Sequence, residues 1–111
     1  MPTLTTFQIP DISKHIKYIY TSQITSEMTL IFVFKTMFRS DDVLVDIYKD
    51  DIANADKIVS SVKLTSDALM CYPRYDLGLN MRIYCRDQDR VGTSVKKYNA
   101  NKFYIQIQVE D

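Results

Sequence analysis

The chain has 111 residues and a mass of 13.0 kDa, which is one domain and too short for two independent cores. With 46% hydrophobic residues and a size that lets it bury roughly 65% of its unfolded surface, it needs no disulfide or metal staple. Fourteen basic residues balance fourteen acidic ones, which argues against a protein that holds nucleic acid by nonspecific counterion release but leaves room for a local basic patch.

The finer composition favours strands. Ile, Val and Thr number twelve, eight and nine, whereas Ala, Leu and Glu together reach thirteen, so side chains stiff at χ1 outnumber the best helix formers. Asp outnumbers Glu twelve to two, and Asp prefers turns because its short carboxylate competes for nearby backbone amides. The longest apolar run, Leu30-Ile31-Phe32-Val33-Phe34, is far below the ~20 residues of a membrane span, and no membrane contact or secretory segment is expected. Cys71 and Cys85 lack any metal-ligand spacing and read as reduced core thiols.

In chain order, residues 1–12 read as an extended N-terminal arm around Phe7 and Ile9, with Pro2 and Pro10 opposing a helix, and residues 13–111 as a single β domain. The stretch 15–20 reads as a strand with Ile16, Tyr18 and Tyr20 on one side. Residues 28–38 form the clearest element: Leu30, Phe32, Phe34 and Phe38 fall on one face, with Ile31, Val33 and Met37 on the other. A strand apolar on both faces needs cover on both, either from its own chain or from a partner. The turn formers Arg39-Ser40-Asp41-Asp42 lead into a return strand at 43–48.

Residues 49–57 read as a polar loop and 58–64 as a strand with Ile58, Ser60, Val62 and Leu64 on one face. Thr65-Ser66-Asp67 caps a turn of helix through Ala68–Cys71 that Pro73 ends. Tyr72-Pro73-Arg74-Tyr75 is a loop. Strands follow at 81–86 and 103–109, separated by a long polar loop with an extended piece near Val95. The reading is all-β: a small antiparallel β-sandwich or partly open barrel of about six strands, with at most a single short helical turn.

Chemistry is hard to find. His15 is the only imidazole and has no carboxylate beside it in sequence to orient it. Asp87-Gln88-Asp89-Arg90-Val91-Gly92 opens like a calcium loop, but Tyr98 stands where a bidentate Glu closes such a shell. Asp41, Asp42, Asp46, Asp50 and Asp51 read as solubilising turn residues. Neither Gly78 nor Gly92 lies in a phosphate-binding frame. No enzyme activity, metal or cofactor is expected. Arg82, Arg86, Lys96 and Tyr84 have the mixture a single-strand nucleic-acid binder uses. Interleaved acids at Asp76, Asp87 and Asp89 make nucleic acid the lesser reading. The tyrosines suit protein contact, and Tyr18, Tyr20, Tyr72, Arg74 and Tyr75 are the expected interface residues.

The strand pair at 28–38 and 43–51, with Asp46-Ile47-Tyr48 in its second member, the segment Ile58–Leu64, and Ala68-Leu69-Met70 resemble the plug proteins of cyanophage-type contractile-tail baseplates. The similarity runs over residues 28–109. It differs where the family's usual Trp before Asp-Ile-Tyr is Leu44 or Val43 here, and where glycines expected near residues 51, 61 and 66 are Asp51, Ser61 and Ser66. The resemblance implies a structural part of a bacteriophage tail, a virion protein seated in the axial channel against hub, tube and spike proteins, with no catalytic residues.

Overall fold

The computed structural model describes residues 3–25, 28–50, 57–66, 68–71, 81–88 and 92–109. Among them are eight strands: β1 (Thr3–Gln8), β2 (Lys17–Thr25), β3 (Met28–Thr36), β4 (Val43–Lys49), β5 (Lys57–Lys63), β6 (Ala68–Cys71), β7 (Met81–Asp87) and β8 (Phe103–Val109). They form two four-stranded antiparallel sheets, ordered β1-β8-β7-β6 and β2-β3-β4-β5. The only helical element among the described residues is a single 3-10 turn at Ala100–Lys102. The expected all-β antiparallel architecture is therefore the fold, as a sandwich of eight strands where the sequence predicts about six.

The chain visits its strands in an up-and-down circuit. Sheet neighbours are consecutive in sequence except where β1 closes the ring against β8. Phe7 of β1 stacks on Tyr20 of β2 at 4.3 Å, so those edges lie over one another, and β5 adjoins β6 at the opposite seam. The result is a two-sheet sandwich, with the β1 and β2 edges joined by rings.

Alternation decides which side chains fill it. Met81, Ile83 and Cys85 of β7 and Phe103, Ile105 and Ile107 of β8 are buried against Leu30, Phe32 and Phe34 of β3 and Val45 and Ile47 of β4. Phe32 lies edge-on to Phe7 at 5.0 Å and stacks with Phe34 at 6.3 Å. Each such fully buried side chain contributes about 1.5–3 kcal/mol through removal of apolar surface from water. Cys71 and Cys85 are both free and buried.

The structure corrects five readings. The N-terminal arm is a strand of the fold itself, paired with β8 from Thr3↔Val109 to Gln8↔Tyr104. Residues 68–71 are β6 rather than a helical turn, because pairing with β7 at Ala68↔Cys85 and Leu69↔Tyr84 offers more than a capped turn could. Phe38 lies beyond the end of β3, in the turn to β4, and is 64% exposed, while Ile16 precedes β2 and faces solvent. In β5 both Val59 and Val62 face inward, opposite Ile47 and Val45. A bulge with Ser61 at φ 49 shifts the register between them.

Candidate interaction surface

The expected interface residues separate. Tyr18 and Tyr20 are half-buried on the inward side of β2, packed against the core, with Tyr18 edge-on to His15 at 5.4 Å. Tyr72, Arg74 and Tyr75 lie outside the described residues. Arg82, Tyr84 and Arg86 alternate with the buried residues of β7 and therefore line the outer face of its sheet, beside Tyr104, Gln106 and Gln108 of β8. The Arg86 guanidinium lies over the Tyr84 ring at 4.3 Å. Lys96 is not with them; it bridges to Asp42 beside β4.

Where the chain does bring unexpected residues together is one end of the sandwich. The β1–β2, β3–β4 and β7–β8 connections all emerge there, and backbone pairing fixes them. Val43 N–H donates to the Val95 carbonyl (3.2 Å), Val95 N–H to that of Leu64 (3.0 Å), and Leu64 N–H to that of Val43 (2.9 Å). Val95 is fully buried in this knot, which answers to the extended piece expected near it. Thr36 ties in the β1–β2 connection by donating its amide to the Ile16 carbonyl at 2.9 Å and its hydroxyl to that of His15 at 2.9 Å.

On this frame stand Ile16 (67% exposed), Met37 (47%), Phe38 (64%) and Tyr98 (66%), four of the six large apolar side chains most open to water among the described residues. Backbone links Ile16 to Thr36 and hence Met37 and Phe38, and a side-chain contact links Phe38 to Lys97, whose Nζ lies 5.0 Å from the ring centroid. Lys97 also donates its amide to the Asp41 carbonyl at 2.7 Å and pairs through Nζ with the Asp41 carboxylate at 3.2 Å. Beside Tyr98 opens a cleft of about 220 Å³ lined by Asp11, Ser13, Lys97, Tyr98 and Asn101. Hydrogen bonds from the Ser13 hydroxyl (2.7 Å) and amide (3.1 Å) hold the Asp11 carboxyl below its ordinary pKa. Sequence reading missed this surface because parity carried Phe38 onto the core face. The signal was the Arg39–Asp42 turn run, which leaves Met37 and Phe38 on the shoulder of the hairpin.

The acidic residues are distributed, not convergent. Asp41 serves Lys97, Asp42 pairs with Lys63 at 3.5 Å, and Asp50 accepts the Thr29 amide at 2.9 Å. Asp46 faces outward from β4 yet is buried, paired with Lys35 at 2.9 Å and accepting the Ser61 amide at 2.6 Å. Burial opposes its ionisation, but hydrogen bonds from Lys35 and Ser61 and the charges of Lys35 and Lys57 outweigh that, and its pKa is lowered. Asp87 is a buried strand residue, and Asp89, Arg90 and Val91 of the calcium-like stretch lie outside the described residues. No three His, Cys, Asp or Glu side chains converge among the described residues. Comparison with protein families, curated proteins and solved structures finds no match to this chain.

Proposed function

We propose that this chain is a structural component that works by fit, packing against other proteins through the end of the sandwich that carries Ile16, Met37, Phe38 and Tyr98. The observation that carries this reading is the exposure of those four side chains on connections held by backbone pairing. Large apolar side chains grouped on a preordered surface favour association, because little conformational freedom remains to be lost on binding.

Its place, on this proposal, is a contractile-tail baseplate of a bacteriophage, as a plug-like domain among hub, tube and spike proteins of the virion, without catalytic activity. The sequence resemblance over residues 28–109 is its support. The rival reading, a single-strand nucleic-acid-binding barrel, has Arg82, Tyr84 and Arg86 aligned on one face in its favour. It is weakened because Arg86 already covers the Tyr84 ring that a base would stack on.

The test is a map and a peptide mass census of purified tail particles from the phage encoding the chain. The chain is expected in the particles, with density at the tail axis. Particles complete without it would overturn the baseplate assignment.

A further inference from the structure

The exposed apolar end is also the cationic end of a neutral molecule. Among the described residues, the connections at 9–16, 37–42, 64–66 and 92–102 carry five cations, Lys14, Arg39, Lys96, Lys97 and Lys102, against three carboxylates, Asp11, Asp41 and Asp42. The whole chain balances fourteen against fourteen, so the remainder of the molecule is net acidic. The three carboxylates are engaged locally: Asp11 by Ser13, Asp41 by Lys97 and Asp42 by Lys63. The field this end presents to a partner is positive, around an apolar centre.

Building on the assembly reading above, we propose that the occupant of this end is an acidic protein segment that seats an apolar side chain beside Ile16, Met37 and Phe38 and places carboxylates toward Lys14, Arg39 and Lys97. Charge complementarity selects such a partner over a basic one and steers its approach. The apolar centre selects it over a purely polyanionic ligand, since four large side chains left in water gain only from a partner that covers them. Asp11 at the cleft adds a local constraint. A carboxylate entering beside Tyr98 meets that ionised group, so the acidic groups of the partner flank the cleft instead of filling it.

The experiment uses the full chain, isotopically labelled, titrated by amide chemical shift with a capped synthetic peptide in which Asp alternates with Phe and Leu. Shifts confined to residues 12–17, 37–42 and 95–99 are expected. Binding should weaken at least fivefold in each of Phe38→Ser and Lys14→Glu, with thermal midpoints unchanged because both side chains are exposed. A several-fold loss on raising salt from about 0.05 to 0.5 M is also expected. The same peptide with Lys replacing Asp, an oligothymidylate, and vesicles containing phosphatidylglycerol serve as comparisons. Equal binding by the lysine peptide, tighter binding at this end by the oligonucleotide or vesicles, or shifts that fall on the β7–β8 face would each overturn the proposal. Sedimentation velocity closes the remaining route: a concentration-dependent dimer abolished by Phe38→Ser would show a second copy as the occupant and overturn it too. None of these outcomes depends on whether the chain is found in tail particles, so this proposal and the baseplate assignment can fail separately.

Discussion

Removing the carboxylate of Asp46 tests whether the outer face of the β2–β5 sheet is held by charge. The Asp46 side chain is 7% exposed and its partner Lys35 34%. Loss of the carboxylate therefore removes a partner from an ammonium and from the amide of Ser61, an exposed residue, both of which can turn to water. In Asp46→Asn an amide oxygen can still accept from Ser61 N–H and only the ionic part of the bond to Lys35 is lost, a cost of about 1–2 kcal/mol. In Asp46→Ala the Ser61 amide also loses its acceptor and the cost rises to about 1.5–3 kcal/mol, below the full figure for a buried ion pair because Lys35 is part solvated and Ser61 is exposed. The folded-state pKa of Asp46 is lowered. Its stabilisation is thus fully present above the unfolded value of about 3.9 and is lost as pH falls through the folded value. Urea unfolding of wild type and both variants at pH 7 and pH 3 measures this. The gap between wild type and Asp46→Asn should narrow at the lower pH. An alanine variant within about 0.5 kcal/mol of wild type at pH 7, where ordinary surface substitutions fall, would refute the reasoning.

The placement of two phenylalanines on β3 and its turn separates core from surface. Phe34→Ala should cost about 3–5 kcal/mol, and Phe38→Ala no more than about 0.5 kcal/mol, by chemical denaturation. Gly92 sits at φ +73, and a Cβ there would meet only Ser66 Oγ, at 3.9 Å. Gly92→Ala should therefore lose about 1–2 kcal/mol through backbone conformation alone, and Gly92→Asn less, as a thermal melt would show. Cys71 and Cys85 are buried, so a thiol reagent should react with them slowly in the native protein and at once in guanidinium, and fast native reaction of both would contradict their burial.

Sequence legibility followed locality. Strands β7 and β8 were readable because Met81, Ile83 and Cys85, and Phe103, Ile105 and Ile107, alternate without interruption and all face the core. The same parity failed at Phe38 because β3 ends at Thr36, two residues before the apolar run does. It failed in β5 because a bulge at Ser60–Ser61, capped by Asp46 from the neighbouring strand, resets which side chains point inward. Ala68–Cys71 carries helix-forming residues behind a capping sequence, and only its pairing with β7, more than ten positions away, makes it a strand. Asp46 read as a turn residue because its cations, Lys35 and Lys57, arrive from β3 and β5.

The surface proposed for assembly was hidden for the same reason, and the topology explains why it is ordered at all. In an up-and-down circuit every connection is free to be a mobile loop, since the strands alone carry the ladder. Here the β7–β8 connection is drawn across the end of the sandwich by Asp42↔Lys96 and Thr65↔Ser94 and anchored by a fully buried Val95. That arrangement holds Lys97 and Tyr98 beside the β3–β4 turn, with Lys97 tied to Asp41 through both backbone and side chain. Holding exposed Phe38 and Tyr98 on fixed backbone gains nothing for the isolated fold, because neither side chain is removed from water. It reduces the entropy lost when another surface covers them. The order of this end therefore makes energetic sense in association, and that links the pairing of Val43, Leu64 and Val95 to the proposed role.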